Sequence, residues 1–449
     1  MIERQPEILA LHYARAGEAI KAAGYWLRAG QQAARRSANI EAITHLTNGI
    51  EILHSLPETP ERDGQEAALQ LALGPALMVT RGWSAPGVEG VYQRARHLCQ
   101  RLGDDREWFS ATWGLWFVRV VDGAWEAARE LVDDLFRLAE RLDDPAFRLQ
   151  AHHAGWGTST NIGEHQAACD HVQRGLALHD PKLHSAHALL YGGHDPKVCA
   201  KGQGALSLWL LGYPDQAAQS ADEAVTLGEG LSHHPSLAHA LLWAGLVHQL
   251  RRDPQAVYEY AKRLRVIGTE HKLAQYTAIG SIMHGWALCY QGQSEVGLDE
   301  LSRGIEAYAA VQVRLNLAHF TAAFAEACRH AGKVELGLAA IEDAVCLFQV
   351  AERWCQSGIL QLKGEILMSS RADRWADAET CFHEALRIAR RQEAKSSELR
   401  AAASLARLRR DQGRRAEARD LLAPVYGWFT EGFDTADLWE AKALLDELG

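Results

Sequence analysis

Apolar residues recur at steps of three and four along almost the whole chain. Between Ala124 and Arg141, for example, Ala128, Leu131, Leu135 and Leu138 fall on one stripe, with Glu126, Arg129, Asp133 and Arg137 between them. This is the arrangement of an amphipathic helix with one buried face. No stretch alternates convincingly between apolar and polar residues as a half-buried strand does. The helical pattern breaks at Leu56-Pro57-Glu58-Thr59-Pro60, Asp143-Asp144-Pro145, Gly212-Tyr213-Pro214 and His233-His234-Pro235. Proline is tolerated at a helix start and not in its interior, so each break predicts a turn.

A second pattern is laid over the first. A small residue is followed five positions on by another and seven further by a third: Gly123–Ala128, Gly163–Ala168–Gly175, Gly212–Ala217–Ala224, Gly292–Gly297–Gly304, Gly332–Gly337–Ala344, and more loosely Asp373–Ala378–Ala385 and Gly413–Ala418. Glycine at the first mark supplies the backbone angle that ends a helix, and small residues at the next two let a second helix lie close against its neighbours. Turn positions at 37, 82, 123, 163, 212, 253, 292, 332, 373 and 413 predict about ten helical hairpins, with most steps at 39–41 residues and the step from 163 to 212 at 49. A fixed period of this size predicts an all-α solenoid, a right-handed superhelix in which each unit buries its face against the next. The reading is one continuous array over 1–449: N-terminal hairpins to 56, repeats over 57–183, an inserted loop at 184–200, and repeats with capping helices over 201–449.

Composition narrows the function classes. A chain of 449 residues with 47% hydrophobic and 23% charged residues suits a well-packed array. A net charge of -10 argues against a general nucleic-acid surface. No apolar run reaches the roughly 18 residues of a membrane span, and the N-terminal segment lacks the apolar core of a signal peptide, so the expected location is cytoplasmic, away from membranes. Cys99, Cys169, Cys199, Cys289, Cys328, Cys346, Cys355 and Cys381 form no C-x-x-C pair and read as free thiols in helices.

The turn glycine, the alanine five residues later and the alanine seven beyond, clearest in Gly212-Tyr213-Pro214-Asp215-Gln216-Ala217 with Ala224, resemble the tetratricopeptide repeat. The usual period there is 34, so the longer one here implies longer helices. Two strings carry a closer likeness: His187 to Cys199, running on through Leu208 to Ala217, and Ala423 to Leu438. Both are similar to the C-terminal repeat array of bacterial proteins that join a class III adenylate/guanylate cyclase, a STAND-type ATPase and tetratricopeptide repeats. That resemblance implies a sensing arm, possible association with ATPase and cyclase domains, and no functional residue carried over.

The chemistry of those partner domains is not written in this chain. Gly332-Lys333-Val334, the nearest string to a phosphate-binding loop, lacks the first glycine (position 327 is alanine) and the hydroxyl residue. His383-Glu384 stops one ligand short of a zinc-protease helix, because position 387 is arginine. The expectation is a non-enzymatic module without a cofactor or metal. Histidines cluster at His152, His153 and His165, at His179, His184, His187 and His194, and at His233, His234, His239 and His248. His184, His187, Tyr191, His194, Asp195 and Cys199 lie in the long unit and could line a small-molecule site or, less simply, a metal site. The plainer alternative has Asp195 as N-cap and Pro196 starting a helix.

Trp113, Trp116, Trp156, Trp209, Trp243 and Trp286 precede their turns, on the first helix of successive hairpins. They read either as a ladder lining the concave face, with His152, His153, His239 and His284 beside them, or as helix–helix packing. The ladder would bind a partner protein or small effector. From Arg387 to Arg419 eleven basic residues face four acidic ones with no aromatic among them. That composition predicts a solvated face paired within the array, with docking to an acidic domain as the alternative and nucleic acid disfavoured.

Overall fold

The computed structural model describes residues 5–36, 38–83, 87–181, 187–348, 352–370 and 374–449, and among these every regular element is helical. The turn mark at Asp373, the position 37 turn and His184 lie outside the described residues. Helix α1 (Pro6–Arg15) precedes the hairpins α2–α3 (Ala19–Arg35, Asn39–His54), α4–α5 (Pro60–Arg81, Val88–Leu102), α6–α7 (Asp105–Val121, Trp125–Leu142) and α8–α9 (Pro145–Ile162, His165–Leu178). A single turn, α10 (His187–Leu190), comes before α11–α12 (Pro196–Leu211, Pro214–Gly230), α13–α14 (His234–Leu250, Pro254–Glu270) and α15–α16 (Ala274–Tyr290, Ser294–Ala310). Then follow α17–α18 (Leu317–His330, Val334–Phe348), α19–α20 (Gln356–Ser370, Trp375–Arg391), α21–α22 (Lys395–Asp411, Arg415–Tyr426) and a closing helix, α23 (Ala436–Leu448). The expected ten hairpins are these ten pairs. The all-α, tetratricopeptide-like hairpin repeat is therefore the architecture of the chain.

Two compact units divide it. The first comprises Met1–Ala154, Leu178–Gly193 and Val311–Val313; the second comprises Gly155–Ala177, His194–Ala310 and Arg314–Gly449. In the first unit α7 buries Ala128, Leu131, Leu135 and Leu138, the stripe read from the sequence. Asp104 caps α6 by accepting the N–H groups of Arg106 and Glu107 at 3.1 Å each. Such a cap satisfies donors that the first helical turn leaves open.

In the second unit α11, α13, α15, α17, α19, α21 and α23 pack in an inner row, and α12, α14, α16, α18, α20 and α22 form the outer row. The two rows differ in burial. Helix α13 buries twelve of its residues, all round its axis, whereas α14 buries Val257, Ala261, Leu264 and Gly268, a single stripe. An inner helix has neighbours on both sides, and an outer helix has one wet face.

The small residues act as their spacing predicts. Gly292 turns the chain at φ 87°. A Cβ on Gly297 would stand 2.6 Å from the Gly285 carbonyl oxygen and from Cys289 Sγ, so α15 and α16 touch backbone to backbone. The return from α5 to α6 turns on Gly103 (φ 70°), but several other returns carry no such signature. They use left-handed non-glycine residues: Ser232 (φ 50°), Lys272 (φ 57°), Gln312 (φ 58°) and Glu393 (φ 54°).

The inner row of the second unit closes on itself. The carbonyl ends of three inner helices are capped by donors from far along the sequence: Arg353 N–H to Asn161 O (2.7 Å), Ser396 Oγ to Trp209 O (2.5 Å), and the Arg400 guanidinium to Leu250 O. Helix C-termini leave carbonyls unpaired and favour cationic donors, so each contact settles a local deficit while joining successive turns of the unit.

Candidate functional site: a clasped cavity in the second unit

The clasp that closes this ring is built from the two strings singled out in the sequence. Glu431 Oε1 accepts the backbone N–H groups of Asp215 (2.9 Å) and Gln216 (3.1 Å), capping the start of α12. Asp215 Oδ2 in return accepts the Gly432 N–H at 2.9 Å. The Trp428 ring packs on Tyr213 at 5.5 Å, and Gly212 faces Trp428, Phe429 and Lys395. Glycine is required at 212 twice over, by its φ of 91° and by a Trp428 atom 2.6 Å from where a Cβ would stand.

Inside the ring lies a cavity of about 140 Å³, lined by inner-row side chains. One wall is charged. Arg252 bridges Asp437 (2.6 Å) and Glu440 (2.8 Å), Arg400 binds Asp437 (2.8 Å), and Arg407 binds Glu440 (2.9 Å). Arg329 reaches Glu365 at 3.3 Å. Burial pushes the Asp437 carboxyl up, but the charges and hydrogen bonds of Arg400 and Arg252 outweigh it and hold the group below the usual carboxylate range. The lining also includes the apolar and aromatic side chains of Leu210, Ala322, Ile359, Leu362, Trp209 and Trp354. Arg400 lies over the Trp209 ring at 4.8 Å. His319 meets Gln249 Oε1 at 3.2 Å; burial first, and the Arg400 charge second, lower its pKa to about 4, so it is neutral.

Three polar groups stand out. Glu326 accepts the Trp286 indole N–H at 2.9 Å and lies near the Tyr290 hydroxyl, yet it has no ion pair among the described residues. Trp354 is 2% exposed and its indole N–H makes no hydrogen bond among the described residues, nor does Arg329 Nε. Buried donors without partners are rare in folded proteins.

Of the residues named from the sequence, Trp209 lines this cavity and the others serve elsewhere. All six tryptophans are buried, so they do not form an exposed ladder. In the first unit Trp113 packs with Trp116 (5.0 Å), His153 (5.4 Å) and Tyr191 (5.3 Å). Gln150 bonds both His187 (2.8 Å) and His153 (3.0 Å), the Tyr191 hydroxyl meets Ser110 at 3.3 Å, and His152 edges onto Phe136.

In the second unit Asp195 accepts the Lys197 and Val198 N–H groups, so Pro196 to Ala200, drawn as the end of the inserted loop, form the first turn of α11. His194 stacks on His239 at 3.9 Å. The Trp243 indole donates to His239 Nε2 at 2.9 Å, which leaves the His239 proton on Nδ1, facing the Tyr276 hydroxyl at 3.3 Å. Cys199 and Trp156 are buried together, and burial pushes the Cys199 thiol up to about 12. His284 pairs with Glu300 at 2.8 Å.

The cavity's own residues were hidden in two signals. Arg400 and Arg407 are seven apart on α21, as His319 and Glu326 are on α17. That spacing puts each pair on one helix face. The basic stretch from Arg387 to Arg419 is paired within the array, as Arg390 with Glu398, Arg400 with Asp437, Arg407 with Glu440 and Arg414 with Glu379 show.

No family model matches the chain. An uncharacterized protein of Rhizobium meliloti (strain 1021) is 26% identical over 339 residues, which make up 75% of this chain and 33% of that protein. The chain thus spans about a third of the length of this relative. Among solved structures, a Rap protein complexed with competence and sporulation factor aligns at TM-score 0.48 and 13% identity, over 88% of this chain and 99% of that one. The apo quorum sensor NprR from B. thuringiensis aligns at 0.46 and 13%, over 79% and 96%. A signal transduction ATPase with numerous domains, carrying a tetratricopeptide repeat sensor, from Pyrococcus horikoshii aligns at 0.42 and 14%, over 89% and 56%. No helix among the described residues is long and apolar enough to cross a membrane.

Proposed function

We propose that the chain is a non-catalytic sensing module whose receptor site is the clasped cavity of the second unit. A partner's terminus or a small effector would bind on the inner face, between α17, α19 and α21. The observation that carries this reading is a lining that mixes apolar and aromatic side chains with charged ones inside a ring closed by long-range contacts, the usual make-up of a ligand site. Occupancy would bear on Arg252 and Arg400, which tie Asp437 and the Leu250 carbonyl into the ring, so binding and ring closure are coupled.

Catalysis is disfavoured by how the polar groups are committed. The Ser404 hydroxyl lies between Glu365 Oε1 and Gln361 Nε2, both at 2.9 Å, and Glu365 is paired with Arg329. A carboxylate tied to a guanidinium is a weak base. In a bacterial signalling protein of the cyclase–ATPase kind, this array would act as the arm that reports occupancy. Support for that context is the meeting of the two resembling strings in the clasp.

The test is hydrogen exchange on the full chain with candidate effectors. A true ligand should protect amides of α17, α19 and α21, and at a hundred times its Kd should add about 2.7 kcal/mol of stability. Ala403→Leu, which fills the cavity, should abolish the effect. A ligand that protects only the outer helices would refute the reading.

A further inference from the structure

We propose that this cavity receives a free α-amino acid, with its ammonium on Glu326 and its carboxylate on Arg329. The inference rests on the reading of the cavity as the binding site.

The charges on the walls are divided in a way that suits a zwitterion. Asp437, Glu440 and Glu365 share four guanidinium groups, those of Arg252, Arg400, Arg407 and Arg329, so this cluster carries one positive charge beyond balance. Glu326 supplies the compensating negative charge but stands outside the cluster, held by the neutral indole donor of Trp286. A purely cationic or purely anionic guest would satisfy one of these and oppose the other. A molecule with both charges satisfies each.

The spacing sets the class. Glu326 and Arg329 are three residues apart on α17, roughly 4.5 Å along the axis and on one face. An ammonium and a carboxylate carried on one carbon span such a gap, and a longer dipole does not need to. Arg329 Nε, which makes no hydrogen bond among the described residues, is the donor that the carboxylate would use.

Size and the third donor narrow it further. A cavity of about 140 Å³ is close to the roughly 150 Å³ that holds benzene, which fits one amino acid rather than a peptide. Trp354 packs on His319 at 4.9 Å, two turns back along α17 from Glu326. Trp354 also lines the cavity, and its unpartnered N–H is the donor that a bound side chain would use. This favours side chains ending in an acceptor oxygen, such as those of glutamine, glutamate and asparagine.

The experiment is calorimetry of the full chain with the twenty free amino acids, and with the N-acetyl and carboxamide derivatives of each one that binds. The expected result is binding of acceptor-ended amino acids, with at least a tenfold loss on either modification and at least a tenfold loss in Glu326→Gln. Trp354→Phe should weaken these ligands about five- to tenfold, leave alanine unaffected and leave the melting temperature unchanged or higher, since it removes an unpartnered buried donor. The inference is overturned if no amino acid binds up to about 10 mM, if modified and free forms bind alike, or if Glu326→Gln changes nothing. A neutral or singly charged compound that binds the wild type and fails on Ala403→Leu would overturn the zwitterion while leaving the cavity as the site. Protection confined to the outer helices would overturn both.

Discussion

Alanine at Gly297 and alanine at Gly337 should move stability in opposite directions, although the two glycines hold the same place in the repeat. Each lies five residues after its turn glycine, Gly292 and Gly332. At Gly297 the new Cβ would stand 2.6 Å from the Gly285 carbonyl oxygen, 2.6 Å from Cys289 Sγ and 2.8 Å from the Cys289 nitrogen. Two of these are backbone atoms of α15, so the clash is relieved only by moving the helices apart. Overpacking of this kind costs about 1–3 kcal/mol. Alanine returns about 1 kcal/mol of helix propensity, which leaves a loss of up to about 2 kcal/mol. At Gly337 the nearest atoms are the Ala325 oxygen at 3.1 Å and Cys328 Cβ at 3.4 Å, a gap that opens by a few tenths of an ångström. There the propensity gain of about 1 kcal/mol prevails. Because each repeat is stabilised by its neighbours, the readout should be local. Hydrogen exchange of α15 and α16 should quicken in Gly297→Ala, and that of α17 and α18 should slow or hold in Gly337→Ala, with melting temperatures following suit. Shifts of the same sign in both variants would refute the claim that interhelical approach, rather than propensity, governs this position.

Three further outcomes follow from the second unit. Burial is the larger influence on Glu352, raising it to about 7 despite N–H bonds from its own backbone, His319 and Asn316, and burial with the Arg400 charge lowers His319 to about 4. Folded Glu352 retains a proton that the unfolded chain has lost above its ordinary 4.5, so its contribution falls as pH rises to 7; unfolded His319 holds a proton below its ordinary 6.5, so its contribution grows with pH from 4. The slopes oppose one another between pH 4.5 and 6.5. Urea midpoints across that window should rise with pH in Glu352→Gln and fall in His319→Gln, and matching profiles would show the two groups do not titrate as described. Arg252→Ala removes a cation that Asp437 and Glu440 share but leaves Arg400 and Arg407 on them, which should cost about 1 kcal/mol and quicken exchange of 431–440; unchanged protection there would separate Arg252 from the clasp. Lys272→Gly should add about 1 kcal/mol, because Lys272 is exposed and holds φ at 57°, and a destabilised variant would mean the side chain makes a contact of its own.

The fold is largely legible in the sequence because its rules are local. A turn glycine, a proline at a helix start and a close-packing alanine each act within about ten residues, and ten hairpins follow from them. The return connections escape because Lys272, Gln312 and Glu393 adopt a conformation that their identities do not announce. The cavity escapes for a different reason. Its clasp joins Asp215 to Gly432 and Arg252 to Asp437, residues 217 and 185 positions apart, and no periodicity within one hairpin encodes such a meeting. The tryptophans misdirect on the same account. They lie on the first helices of their hairpins, but all six are buried and offer no open strip, and Trp209 alone among them lines the cavity.

The cross-turn caps at Asn161, Trp209 and Leu250 also set how the second unit would answer a pull. An open helical array lengthens like a soft spring, each hairpin tilting slightly on the next. Here the successive coils are tied by the Arg353 amide, the Ser396 hydroxyl and the Arg400 guanidinium, so tension meets these ties first. The unit should stay at nearly constant length until they part and then extend abruptly. Under load it would act as a threshold element, and a guest that shares the arginine wall would move the force at which it gives way.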